Sequence, residues 1–136
     1  MAKQKVSSAQ LSRPSGHFSQ GISVDVRGRL VFLSGMTARG LDGTVIGKGD
    51  IEAQTQKVCE NLQAAMAAAG GSMTDIVSVT VFVRNTEHFA AIHRIRRQFF
   101  ADPPPASTLV EVSKLVDPEM LIEINAIAAI EDGAQV

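Results

Sequence analysis

The chain has 136 residues, enough for one domain with a real hydrophobic core. Apolar residues make up 45% of it and the formal net charge is −1, which excludes a disordered chain and gives no net-charge basis for a nucleic-acid surface. The single cysteine, Cys59, rules out an intrachain disulfide and points to a reducing, cytoplasmic setting; without Trp or Tyr, only phenylalanines remain to stack on bases.

The opening "MAKQKVSSAQ" has no apolar run, so no secretory signal is expected there. "HFSQGISVDVRGRLVFLSGM" reads as a hairpin: Ile22, Val24 and Val26 alternate, Arg27-Gly28 turn the chain, and Leu30 to Met36 run back. The pattern leaves room for a short extra strand near Val6. Gly40, Gly43, Gly47 and Gly49 mark a loop with a turn at "DGTV". Asp50 is placed to cap a helix running to about Ala69, with Ile51, Val58, Leu62, Ala65, Met66 and Ala69 near one face and Gly70-Gly71 as the stop.

"DIVSVTVFV" predicts a strand with Val77, Val79, Val81 and Val83 on one side, Ile76 and Phe82 on the other, and both faces covered. Asn85 or Thr86 starts a second helix with Phe89, Ile92, Ile95 and Phe99 as its inner stripe, and Pro103 to Pro105 end it. Arg94, Arg96 and Arg97 on that helix read as a solvated face. Two further strands follow, Ser107 to Val112 and Leu121 to Ile130. No apolar segment approaches the roughly 20 residues a membrane span needs, and no repeat or linker divides residues 1–136, so a single domain is expected.

The order β-β-α-β-α-β-β implies an α+β fold of two layers, with a mixed β-sheet carrying both helices on one face. No element remains for the other face. Further copies of the same chain are the simplest cover, which predicts an oligomer.

Few motifs carry chemistry. "GTVIGKGD" lacks the Ser or Thr that a phosphate loop places after Gly-Lys; it reads as a flexible loop that can serve as a lid. His88 and His93 stand five apart, a spacing that does not stack two ligands on one helix face, and no partner set completes a metal site with them or with His17. Cys59 lies mid-helix among apolar neighbours and reads as a small buried residue. Glu123 alternates with Ile122 and Ile124 in a strongly apolar strand, sharing a face with Asn125. A carboxylate there is either given a task or lies at a solvent-facing rim, and the residues alone leave both open. The run "DPPPASTLVEV" stiffens the approach to Ser107 and aims it at a fixed point.

Five stretches, "GHFSQGI", "LVFLSGM", "QTQKVCENLQAAMAAAGGSMTDIVSVTVFV", "PPPASTLVEV" and "LIEINAIAAI", in that order, make the chain resemble the reactive intermediate deaminase (Rid, or YjgF/YER057c/UK114) family from about Pro14 to Ile130. The resemblance implies a chorismate-mutase-like fold of the bacillary type and a homotrimer with three inter-subunit clefts. It also implies cofactor-independent hydrolysis of small imines and enamines, such as 2-aminoacrylate, to 2-oxo acids and ammonia. Carried over by position, it makes Glu123 the catalytic residue, placing the attacking water together with the Leu109 carbonyl. Phe18 becomes the pocket-closing aromatic, without the usual tyrosine hydroxyl. Ser34 is a nearby contact, and His17 replaces the usual proline.

The position that in active members carries a carboxylate-gripping arginine is Ser107, which offers one neutral hydrogen bond where arginine offers a fork of donors. The chain therefore reads as an arginine-lacking branch. The expected activity is a hydrolase of an imine, enamine or related C–N bond in a small metabolite other than 2-aminoacrylate. The alternative is a non-catalytic metabolite-binding or regulatory trimer; an endoribonuclease or translation-inhibitor role fits less well. No cofactor, metal, membrane or nucleic-acid partner is expected.

Overall fold

Two strands rich in valine, isoleucine and alanine form the centre of the sheet that organises the chain. The computed structural model describes residues 2–132. Its elements are β1 (Lys3–Val6), β2 (Gly21–Val24), β3 (Gly28–Met36), α1 (Ile51–Ala68), β4 (Ile76–Val83), α2 (Phe89–Phe99), β5 (Ala106–Glu111) and β6 (Ile122–Glu131). Single 3-10 turns, Met73–Asp75 and Thr86–His88, lead into β4 and α2. The main sheet runs β3-β6-β4-β5; β4 and β5 are parallel and the other pairs antiparallel. It is the expected mixed sheet of an α+β fold, and among the described residues no helix is long and apolar enough to cross a membrane.

The expected hairpin is not formed. β2 pairs with β1, the strand around Val6, while β3 pairs with β6. A tight two-residue hairpin needs positive φ in its turn. Among the described residues only Gly43, Gly47, Gly49 and Gly70 have it, so the chain passes Asp25 to Gly28 without reversing tightly.

One face of the main sheet makes the core. Val58, Leu62 and Met66 of α1 and Ile92 of α2 pack with Ile76, Val79, Val81 and Val83 of β4 and with Ile122, Ile124, Ala126 and Ala128 of β6. The β4 face differs from expectation by one residue. The pairing of β4 with β6 shifts register between Ile76 and Ser78, so Val77 is the extra residue of a bulge and Ile76 takes its place in the core. Asp50 caps α1 as expected, its carboxylate accepting from the Ala53 N–H at 3.1 Å. Gln54, one turn on, is fully buried; it donates to the Gly47 and Glu119 carbonyls and accepts from the Leu121 N–H, tying the loop before α1 to the entry of β6. That loop is itself pinned, with Ile46 N–H on the Ala38 carbonyl and Gly40 N–H on the Thr44 carbonyl.

The other face is open. Phe32 is 71% exposed, opposite Ile127 on β6, and Leu30 and Val110 are exposed with it. The expectation that both faces of β4 are covered therefore fails in the single chain: Ser78, Thr80 and Phe82, on the face away from the helices, are only half-buried.

On α2 the buried residues are Ile92, His93 and Arg96. This corrects the solvated-face reading of the arginine cluster: Arg94 lies outside and pairs with Glu52, Arg97 is exposed, and Arg96 is fully buried. The segment before β2 packs on this helix. A side chain at Gly16 would overlap the His93 ring, and His93 Nδ1 donates to the Phe89 carbonyl at 2.9 Å. Burial holds His93 below its ordinary value, a depression that the Phe89 hydrogen bond partly offsets and nearby Arg96, Arg97 and His17 reinforce.

A depressed histidine pKa has a signed consequence. The unfolded chain takes up this proton near 6.5 while the folded chain resists it, so folding stability falls as the pH drops through that value. Thermal unfolding followed from about pH 7.5 to about pH 5.5 should show a steeper loss in the parent than in His93→Gln. Equal slopes would place the titration elsewhere.

Candidate functional site

The segment 16–19 lies along the proline run and fixes it. Ser19 Oγ donates to the Pro104 carbonyl at 2.6 Å, Ser19 N–H donates to the Pro105 carbonyl at 3.2 Å, and His17 Nε2 lies 2.8 Å from the Phe100 carbonyl. Phe18 is thereby held over the start of β5. With Ser15, Phe89, His93, Ser107 and Leu109 it lines a cleft of about 200 Å3. The proline run does deliver Ser107 to a cavity. His17 serves that cavity as a tether, its ring being committed to Phe100. A larger cavity of about 560 Å3 opens on the far side of Phe18, built wholly from the N-terminal segment, including Lys5, Leu11, Arg13 and Gln20.

β5 is an edge strand. The alternation that sends the Val112 N–H to Val83 and the Pro105 carbonyl to Ser19 turns the Leu109 carbonyl to the open edge, free of the β4 ladder. None of the Gly40 to Gly49 residues lines this cleft within the single chain.

Glu123 is elsewhere. Ser107 stands in register with Val79, whose side chain points into the core, while Glu123 stands in register with Phe82, on the opposite side of β4. Successive side chains alternate across a strand, so Ser107 and Glu123 lie on opposite faces of one sheet. Glu123 is half-buried on the open face, lying across Gly35, where any side chain would overlap the carboxylate. Ser34, exposed beside that glycine, belongs to the same half. The single chain thus brings Phe18, Ser107 and Leu109 together and keeps Glu123 and Ser34 apart from them.

Behind Ser107 stands a residue the sequence reading placed in solvent. Arg96 Nη2 donates to Ser107 Oγ at 3.1 Å; among the described residues Nε and Nη1 have no partner. Burial pushes the guanidinium down to about 10, so it stays charged at neutral pH. Cys59, one of its ionisable neighbours, is buried and pushed up to about 12, an inert protonated thiol. Arg96 was legible in one respect: it follows Ile92 by four residues on the inner stripe of α2.

The Endoribonuclease L-PSP family model matches residues 9–130. A RutC family protein of Pyrococcus abyssi is 37% identical over 128 residues, covering 94% of this chain and 98% of its own. A 2-iminobutanoate/2-iminopropanoate deaminase of Dermatophagoides farinae is 33% identical over 129 residues, covering 95% and 98%. Among solved structures, a protein of unknown function of the conserved Rid family from Yersinia pestis superposes with a TM-score of 0.86 at 30% identity, over 96% of this chain and all of that one. Family model, relatives and overall fold agree, and the chain belongs to the Endoribonuclease L-PSP family, the Rid/YjgF/RutC group.

Proposed function

We propose that this single-domain protein is a cofactor-independent hydrolase of the deaminase type, acting on an imine, enamine or related C–N bond of a small metabolite in clefts between three copies of the chain. The observation that carries this reading is Glu123, a half-buried carboxylate laid over Gly35 on an uncovered sheet face that also carries Phe32, Val110 and Ile127. Leu30, Phe32, Val110 and Ile127 give neighbouring subunits a surface to bury. Closed assembly also offers what one chain cannot: the Ser107 edge of one copy beside the Glu123 face of another.

In such a cleft Glu123 takes a proton from water as its oxygen bonds to the imine carbon, and the Leu109 carbonyl holds the second water hydrogen. Glu123 returns that proton to the substrate nitrogen, and then carries the adduct's hydroxyl proton to the same nitrogen, so that the C–N bond breaks, ammonia leaves and the carbonyl forms. Ser107 and Ser34 contact the substrate, Phe18 closes the cleft, and His17 holds the Phe18 segment in place. The relative named as a 2-iminobutanoate/2-iminopropanoate deaminase supports the reaction class.

The serine at position 107 and the lost hydroxyl at Phe18 favour a second reading, a metabolite-binding trimer without turnover. Ribonuclease chemistry fits less well, since the chain carries a net charge of −1 and has no Tyr or Trp to stack on bases.

Light scattering coupled to size exclusion should give about 43 kDa, three copies of a 14.5 kDa chain. A stable monomer at micromolar concentration would remove the inter-subunit site.

Ammonia release from imines generated in situ, across charged and uncharged substrates, separates hydrolase from binder. Glu123→Gln should lower any turnover by about 100- to 10,000-fold with the assembly mass unchanged. Undiminished turnover would make Glu123 a structural residue.

A further inference from the structure

Among the described residues Arg96 is the one fully buried side chain that carries a charge. A guanidinium removed from water loses favourable hydration that only a charge or a full set of acceptors can replace. Here it makes one hydrogen bond, to Ser107, and among the described residues no carboxylate faces it. Of the groups around it, His93 is held neutral by burial and Cys59 stays protonated, so neither is a counter-ion. Phe100, with its ring centre 5.8 Å from the guanidinium carbon, gives at most a partial cation–π contact.

The one bond it does make faces the cleft. The Ser107 oxygen accepts from Arg96, which leaves the hydroxyl proton free to be donated, and among the described residues nothing on the protein takes it. Ser107 lines the cavity with Phe18, Phe89, His93 and Leu109, largely apolar walls that lower the local dielectric. A hydroxyl polarised by a buried cation is a stronger donor than a free one.

We propose that Arg96, acting through Ser107, makes the cleft an anion-selecting site: the Ser107 hydroxyl donates to a small carboxylate-bearing ligand whose negative charge compensates the guanidinium behind it. The charge that position 107 lacks in its own side chain comes from α2. The same geometry explains why position 107 is neutral. A cation there would stand within hydrogen-bond reach of Arg96 with no carboxylate between them. Arg96 is thus a specificity-determining positioning residue, shielded from the ligand by Ser107.

The inference rests on Ser107 facing the ligand, as proposed above, and not on turnover. Its test therefore uses ligands that do not react. Propanoate and propanamide have nearly the same shape and differ in charge. Calorimetric titration of the parent assembly should show propanoate bound about tenfold or more tightly. Ser107→Ala should cut propanoate affinity by about tenfold and leave propanamide within about twofold. Arg96→Met should bring the two probes to about parity, while Arg96→Lys, which keeps the charge, should retain part of the preference.

A parent that binds propanamide as tightly as propanoate, or binds neither, overturns the proposal. So does a charge preference that survives Ser107→Ala, a variant that leaves the buried arginine in place and keeps the test valid should Arg96→Met fail to fold. Loss of the preference in these variants with ammonia release still dependent on Glu123 would leave the hydrolase reading standing. Anion preference without turnover would support the binding trimer and keep this inference.

Discussion

The pleat of the four-stranded sheet governs the geometry of the site. Side chains alternate across a strand with a period of two, and the registers of β5 and β6 against β4 place Ser107 on the helix-covered face and Glu123 on the open one. No rotamer change can bring them together through the sheet. Any chemistry that uses both needs a second copy of the chain, and the apolar side chains around Ile127 and Phe32 make that same face the one a second copy would cover. For chemistry that uses both residues, covering that face and completing the site are one physical requirement.

A second constraint acts on the other face. The helices seal the core against water, and Arg96 is sealed in with it. Apolar packing around a guanidinium is costly, so a chain that keeps it gains something in return, or is stabilised by a ligand bound in the native state. The segment 16–19 bears on this directly. By anchoring to the Pro104, Pro105 and Phe100 carbonyls it closes Phe18 over the hydroxyl that Arg96 polarises, leaving a small space beside a buried positive charge.

The sequence was informative where structure is local. The Asp50 cap, the apolar stripe of α1, the strands around Ser107 and Glu123 and the turn near Gly43 all follow from short-range geometry, and ordered motifs sufficed to identify the family. It misled where one residue decides a phase: the bulge at Val77 moved Ile76 into the core against an unbroken alternation. It misled again at β2, whose partner is the N-terminal strand, because partner choice depends on residues distant in sequence.

The site divides along the same line. That Ser107 is delivered to a cavity is written in the proline run, and that Glu123 is unusual is written in the isoleucines flanking it. That the two lie on opposite faces, and that Arg96 is a buried cation behind Ser107, came only from the tertiary structure. A charged residue in a helix reads as solvated until the helix is docked, and only the docking of α2 against the sheet decided which of three neighbouring arginines lost its water. By itself the sequence determined the elements and the family, because periodicity and capping act within a few residues. The tertiary structure decided the pairing, the faces and the charge environment, because these are set by contacts between segments that local patterns do not relate.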